Sequence, residues 1–257
     1  MRAIWTGSLG FGLVNIPVKL YSAVEDSTLD LDMLDKQDHA HIKFMRVNEK
    51  TGKEVKWENI VKGYDLDGKY VVLTDEDFKK ASPEKTKHIE ILQFVEQAEV
   101  DSMYYESPYY LAPEKMGIKA YALLRDALQK SGKAGLGTYV LRNKENIGLI
   151  KVSGDALVLN KMRFGEEIRS SEELKLPEAN PKAAELKMAM ALIDQLTEKF
   201  DIKKYHDTYS DELMKLIKAK AKGKTVAATP LKVVHSKSKD LMSQLKASLE
   251  GGKKRAS

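Results

Sequence analysis

Short runs of strand-forming residues dominate the chain as far as Phe164, and helical spacing of apolar residues takes over beyond it. Residues 7 to 24 carry Val14, Ile16, Val18, Leu20 and Tyr21, which predict one opening strand with bends at Gly7, Gly10 and Gly12. Pro17 demotes part of that strand to an edge or a bulge. From Ile42 to Val61 the pattern predicts two short strands around the turn Asn48 to Gly52, and Asp67-Gly68 in YDLDGKYVVL is a two-residue hairpin signal. Thr74 can cap a short helix, with Asp77 at the reciprocal capping position. Strands follow at IEILQFV (89 to 95) and around Tyr109 to Leu111. A helix near Ile118 to Lys130 then gathers Tyr121, Leu124 and Leu128 on one side, with Gly132 past its end. TYVLR, IGLIKV and DALVLNKMRF, between Thr138 and Phe164, complete a strand-rich body. Many short strands with turns between them predict an α+β chain built on a barrel or a sandwich.

The C-terminal part has a different period. Asn180 and Pro181 offer a cap and a first turn for a long amphipathic helix to about residue 200, with Leu186, Met190, Ile193, Leu196 and Phe200 in its apolar stripe. A second helix is expected from Ser210 to Gly223, presenting Leu213, Leu216 and Ile217 and carrying lysines toward its end, as the helix dipole favours. Residues 224 to 236 have no period and read as a linker. SKDLMSQLKASLEGG offers a short helix with Leu241, Leu245 and Leu249 before the basic end KKR.

Composition narrows the chemistry. The chain has 257 residues and no cysteine, which excludes disulfides, thiolate-ligated metal and thiol nucleophiles. No apolar run reaches the roughly 18 residues of a membrane span, and MRAIWTGSLG lacks the features of a secretory signal, so the cytoplasm is the expected compartment. The net charge of +5 is unevenly spread: from Leu213 to Ser257 twelve Lys/Arg face two acids, a local +10 that leaves the remainder at −5. A basic arm on a mildly acidic body fits a polyanionic partner, and equally a solvated tail; without an apolar helix face beside the lysines, nucleic acid is favoured over a membrane.

The glycines of GSLGFGLVNIP invite a phosphate-loop reading, which fails in detail. Gly7 and Gly12 have Walker spacing, but Leu13 and Val14 stand where lysine and a hydroxyl residue belong, and Gly132 with Gly137 repeats the near miss. Only six residues precede Gly7, too few for the strand a dinucleotide fingerprint requires. Gly7-Ser8-Leu9-Gly10 matches the G-x-x-G clamp of single-strand modules, yet that loop joins two helices and these flanks are extended. His39 and His41 would share a strand face but lack a third ligand, His88, His206 and His235 are isolated, and no G-x-S-x-G turn is present. No catalytic residue, metal site or cofactor is expected.

A basic ribbon remains. Lys43, Arg46, Lys50, Lys53, Lys56 and Lys62 run through the stretch around the Asn48 turn, with Glu49, Glu54 and Glu58 among them. Such a ribbon is either a solvated face or a surface that contacts phosphates without reading bases.

Taken in order, MRAIWTGSLGFGLVNIPVKLYSA, IVKGYDLDGKYVVLTDEDF, IEILQFVEQAEVDSMYYESPYYLAPEK, YVLRNKENIGLIKV, GEEIR, AELKMA and KYHDTYSDELMKLI resemble the bacterial Ku proteins of DNA end joining over most of the chain. The resemblance implies a β-barrel core with an extended DNA-encircling arm and C-terminal helices, in an intertwined ring-shaped homodimer. It implies a non-enzymatic protein of non-homologous end joining, of the single-domain bacterial form and nucleoid-associated. Such a ring binds double-stranded DNA ends without sequence specificity, protects and bridges them, and recruits and stimulates DNA ligase D.

Carried onto this chain, the resemblance implies a Ku core over residues 1–200, with the arm at about 34–72 and the long helix at about 181–200. A C-terminal helical region over 201–223 and a basic tail over 224–257 would follow. The arm residues Lys43, Arg46, Lys50, Lys53, Lys56 and Lys62 would line the ring. Lys218, Lys220, Lys222, Lys224, Lys253, Lys254 and Arg255 would add DNA affinity, and Tyr205, Tyr209, Leu213, Leu216 and Ile217 fall in the region tied to ligase recruitment. Some relatives carry cysteines in the arm; Asn48 and Thr51 stand in that neighbourhood here, so no metal or redox role carries over. On the residues alone, a single-strand or RNA-binding module and a nucleotide-dependent enzyme remain the competing classes.

Overall fold

Alternating burial along Trp5–Phe11 (β1) and Val14–Ser22 (β2) produces an antiparallel hairpin that pairs Trp5 with Leu20 and Phe11 with Val14. The single strand expected over residues 7 to 24 is therefore two. Gly12 makes the reversal at φ 58°, a conformation that a side chain disfavours, and Leu13 beside it is fully exposed. A Gly-Leu tip lacks the Asn-Gly or Asp-Gly signature that marks most such turns, so the reversal was hidden. Pro17 pairs with Ser8, but the ladder from β2 to the next strand begins only at Val18, so the missing N–H falls where no partner strand needs it.

The computed structural model describes residues 1–81, 87–142, 144–224 and 241–253. In chain order its further elements are β3 (Lys62–Leu66), β4 (Lys69–Leu73), α1 (Asp75–Ala81), β5 (His88–Glu96), β6 (Tyr105–Pro113), α2 (Ile118–Ser131), β7 (Lys133–Leu141), β8 (Lys144–Ser153), β9 (Ala156–Met162), α3 (Ala183–Leu196), α4 (Thr208–Ala221) and α5 (Leu241–Lys253). Packing divides the chain into two compact units, one of Met1–Asp26 with Asp30–Ser170 and one of Ser27–Leu29 with the chain from Ser171 onward.

In the first unit, seven strands close a barrel in the order β1-β2-β6-β9-β8-β7-β5, which decides between the barrel and the sandwich. Every neighbouring pair is antiparallel except β1 and β5, which run parallel and set Ser8 beside His88. The inward residues Leu9, Ile16, Val18, Leu20, Ile89, Leu111, Leu157 and Leu159 are completely or almost completely buried and form one core with Tyr121, Leu124 and Leu128 of α2. α2 ends as its sequence predicts, with Gly132 left-handed and its N–H donating to the Leu128 carbonyl. The β5–β7 register slips between Ile91 and Gln93, and there Gly137 lies so close to the Glu90 carbonyl that a Cβ would overlap it.

Two tyrosines in this core are treated differently. The Tyr121 hydroxyl donates to the Leu111 carbonyl and accepts from the Leu157 N–H, both at 2.7 Å, and so ties α2 to β6 and β9. The Tyr139 hydroxyl is buried without a hydrogen-bond partner among the described residues, and burial pushes its acidity far from the physiological range.

In the second unit α3 packs against α5, where the Gln195 side-chain amide donates to the Leu249 carbonyl at 3.4 Å. α3 starts later than the Asn180-Pro181 signal predicted, because Glu185 reaches back to accept from the Lys182 N–H at 2.8 Å and so caps the helix there. It ends at Leu196, where the Thr197 N–H turns back to the Asp194 carbonyl, so Phe200 lies outside the helix. α4 begins at Thr208 rather than Ser210, since the Asp207 carboxylate accepts from the Tyr209 and Ser210 N–H groups at 3.0 and 3.2 Å. The helix expected in SKDLMSQLKASLEGG is α5, while the linker assigned to residues 224 to 236 lies outside the described residues apart from Lys224.

Removing each tyrosine hydroxyl tests this core. Tyr121→Phe strips the buried Leu157 N–H of its acceptor and is expected to destabilise the protein by about 1–3 kcal/mol, whereas Tyr139→Phe removes an unpaired group and is expected to be neutral or stabilising. Urea unfolding followed by circular dichroism measures both.

Candidate nucleic-acid interface

Between Leu20 and Ile89 no described residue is buried. The chain leaves the barrel after β2 and returns at β5, and from Leu34 to Val55 the hydrogen bonds that hold it are local. His39 N–H donates to the Asp35 carbonyl and Leu34 bridges His41, with His39 itself at φ 59°. His39 and His41 therefore sit in and beside a turn, not on one face of a strand. Farther along, the Asn48 side chain accepts from the Lys50 and Thr51 N–H groups at 3.0 and 3.1 Å, and the Asn48 N–H donates to the Lys53 carbonyl. The turn from Asn48 to Gly52 stands where the sequence placed it, but its limbs hold only one bridge, Val47 with Glu54, and do not become the two strands expected. No described residue of those limbs is buried, so there is no core to extend the pairing.

After the short turn Trp57–Asn59, β3 and β4 form the hairpin signalled by Asp67-Gly68, with the Asp65 carboxylate accepting from the Gly68 N–H at 2.9 Å. Thr74 and Asp77 form the expected reciprocal cap of α1: Thr74 N–H donates to the Asp77 carboxylate at 2.9 Å and Asp77 N–H to the Thr74 hydroxyl at 3.3 Å. The Thr74 hydroxyl, which donates to the Asp77 carboxylate at 2.7 Å, and then the Thr74 N–H hold that carboxyl below its ordinary range.

The six basic residues of the ribbon fall into two sets. Lys43 and Arg46 lie on one limb of the Asn48 turn, Lys53 and Lys56 on the other, and Lys50 at the tip, with the Val55 N–H donating to the Arg46 carbonyl across the limbs. Lys62 opens β3 and belongs to the next hairpin. All are exposed. Among the described residues none of the six lies within 4 Å of a carboxylate, so Glu49, Glu54 and Glu58 do not neutralise them. Two are instead posed over aromatic rings: the Arg46 guanidinium 4.7 Å from the Trp57 centroid, and the Lys62 ammonium 4.8 Å from that of Phe78. The sequence reading missed both rings, although aromatic residues interleaved with cations were the signal.

The C-terminal candidates divide as well. Lys218, Lys220, Lys222 and Lys224 are exposed at the end of α4 and just past it, where Gly223 is left-handed. Tyr205 and Tyr209 are 74% and 73% exposed, Ile217 is exposed to a smaller extent, and Leu213 and Leu216 are half-buried. Lys253 is the last residue of α5, and Lys254 and Arg255 lie outside the described residues.

Gly7 and Gly10, the ends of the apparent G-x-x-G clamp, are inside β1, not between helices. Gly10 makes room for the His88 ring, and the Ser8 hydroxyl lies 2.9 Å from His88 Nδ1, so this stretch closes the barrel. Among the described residues there is no group of three or more metal-ligating side chains, and no helix long and apolar enough to cross a membrane.

Comparison with known proteins agrees with this architecture. The family model described as the Ku70/Ku80 beta-barrel domain matches residues 10–188, from within β1 to within α3. The chain belongs to the Ku family. Relatives named non-homologous end joining protein Ku include one from Opitutus terrae, 43% identical over 90% of this chain and 84% of its own length. The Ku protein of Bacillus subtilis is 40% identical over 97% of this chain and 82% of its own length. That of the archaeon Archaeoglobus fulgidus is also 40% identical, over 98% of this chain and its entire length. The Ku domain match takes in the barrel from Gly10 onward and the whole exposed arm and stops before α4, so the ribbon lies inside the matched domain and the α4 candidates outside it.

The start of α4 depends on one carboxylate. Hydrogen bonds from Ser210 and Tyr209 hold the Asp207 carboxyl below its ordinary value of 3.8, so its cap is fully present above that pH and is lost as pH falls through the lowered value. Asp207→Ala is expected to speed amide hydrogen exchange at Tyr209 and Ser210 near neutral pH, and the native protein is expected to show the same change only at the acid end.

Proposed function

We propose that two copies of this Ku chain form an intertwined ring that binds double-stranded DNA ends without sequence specificity. The ring protects and bridges the ends during non-homologous end joining, acts without catalysing a reaction, and works in the cytoplasm at the nucleoid. The observation that carries this reading is the arm. From Val24 to Val72 most of its large apolar side chains, among them Phe44, Tyr64 and Tyr70, are exposed, while its cations have no carboxylate partner among the described residues. Leaving so much apolar surface in water forgoes roughly 25 cal/mol per Å², and a second copy of the same arm is the partner that a symmetric protein always has to hand. The unpaired lysines then serve the polyanion that such a ring encloses. Lys43, Lys50, Lys53 and Lys56, with Arg46 and Lys62, contact phosphates by releasing counterions, which gives affinity without base preference.

The exposed apolar stripe of α3, with Leu186, Met190, Ile193 and Leu196, supports the dimer in the same way. Lys218, Lys220, Lys222 and Lys224, with Lys253, Lys254 and Arg255 of the tail, add sequence-independent attraction for DNA. The exposed Tyr205 and Tyr209, together with Leu213, Leu216 and Ile217, form the surface that recruits and stimulates DNA ligase D.

A ring can thread a linear duplex and cannot enter a covalently closed one. Linear plasmid is expected to bind far more tightly than the same plasmid as a closed circle, and equal affinity would overturn the ring. Replacing Lys43, Lys50, Lys53 and Lys56 by glutamine is expected to weaken binding to all sequences alike. It should also flatten the dependence of log K on log salt by about 0.9 for each phosphate that is no longer neutralised. Tyr205→Ala with Tyr209→Ala is expected to abolish stimulation of ligase D while leaving DNA affinity unchanged, as measured by end joining beside a direct binding titration.

A further inference from the structure

Trp57 is the arm residue whose placement phosphate binding does not explain. It opens the short turn Trp57–Asn59, pinned on both sides because the Asn59 N–H donates to the Lys56 carbonyl at 3.0 Å and the Ile60 N–H to the Trp57 carbonyl at 3.1 Å. Its indole carries the Arg46 guanidinium at 4.7 Å and is still 70% exposed, so most of the ring surface remains open to a ligand. Phe44, on the Arg46 limb, is 80% exposed. Arg46 lies over the indole, and the stretch from Lys43 to Glu58 carries five cations, Lys43, Arg46, Lys50, Lys53 and Lys56, against the carboxylates Glu49, Glu54 and Glu58.

We propose that the Trp57–Arg46 pair is a stacking platform for a nucleobase left unpaired at the end of a DNA duplex, an inference that rests on the DNA-end reading above. An indole held open among cations is a poor seat for an apolar protein surface, because covering it would desolvate the cations without neutralising them. A nucleic-acid strand neutralises them with its phosphates and offers the ring a base face at the same time. Inside a duplex every base is already stacked above and below. Only an overhanging base, freed from its pair, can turn to lie on the ring, so this platform responds to an unpaired end and not to a blunt end or the interior. Arg46 contributes by fixing the ring and by bringing a charge that favours the strand's backbone. Stacking of this kind is indifferent to base identity, which agrees with a protein that must accept any end.

The test compares duplexes with a blunt end, with a short single-stranded overhang, and with an overhang of the same length built from abasic sites, which keeps the phosphates and removes the bases. The full-length protein is expected to bind the base-bearing overhang more tightly than the abasic one by roughly 5- to 150-fold. Trp57→Ala is expected to erase that difference and leave blunt-duplex affinity unchanged, and Trp57→Phe to retain part of it. A Trp5→Phe protein leaves Trp57 as its single tryptophan. Its fluorescence is expected to be quenched by the base-bearing overhang and not by the abasic one, a readout that needs no change at Trp57. Equal affinity for base-bearing and abasic overhangs, or no difference in quenching, overturns the platform while leaving end binding intact. So does a Trp57→Ala protein that loses blunt-duplex binding and its oligomeric state together, since Trp57 then sits between copies. Failure of the unsubstituted protein to bind any of the three duplexes overturns the end-binding reading itself.

Discussion

The parallel pairing of β1 with β5 is the interaction on which the rest of the molecule depends. It closes the barrel, and in doing so it fixes both ends of the arm. β2 leaves beside Trp5 on one side of β1, and β5 re-enters beside Ser8 on the other. A long excursion is thereby tethered at two points a few residues apart on one strand. Its own backbone needs no core to stay attached, because the closure cost of so long a loop rises only slowly with length. Gly10 and the Ser8–His88 contact are the local chemistry of that seam: a side chain at Gly10 would collide with the His88 ring.

With its ends held, the arm can be as unlike the barrel as its role demands. The barrel spends its apolar residues inward, around Leu9, Ile16, Ile89 and Leu159, with Tyr121 tying α2 across it. The arm buries none of its described residues and relies on turns capped by Asp35, Asn48 and Asp65 to hold its shape. Unpaired lysines and uncovered aromatics are costly on an isolated monomer. They are the condition expected of a segment whose proposed partners, another copy and a polyanion, arrive from outside. The cation–π contacts of Arg46 and Lys62 moderate that cost, since each cation gains a ring and keeps its charge.

Much of this was legible in the residues, and what escaped did so for identifiable reasons. α2, β5, the β3–β4 hairpin and the Thr74–Asp77 cap are local devices written within a few positions, and they stand where periodicity and turn residues put them. The hairpin at Gly12 escaped because a Gly-Leu tip has no strong turn signature. The strand pair around Asn48 was expected from β-forming residues, yet without a surface to pack against only the bridge of Val47 with Glu54 forms. The starts of α3 and α4 moved because Glu185 and Asp207 outcompeted nearer signals for the free N–H groups. In the candidate interface the charges were visible as a ribbon, but Trp57 and Phe78 were not, since a ring becomes part of a site only when a cation is placed over it.

By itself the sequence determined the local vocabulary: which segments are strands or helices, where most turns fall, the segregation of positive charge, the absence of thiol chemistry, and membership of the Ku family through ordered motifs. Only the tertiary structure decided that the strands close on themselves through a parallel β1–β5 seam. It also decided that the glycines of GSLGFGLVNIP serve that closure and a turn rather than a phosphate, and that the ribbon's cations are left without carboxylate partners among the described residues. The physical reason is range. Propensity, capping and periodicity act over a few residues, whereas closure, close backbone approach and the neutralisation of a charge depend on groups that the chain brings together from far apart.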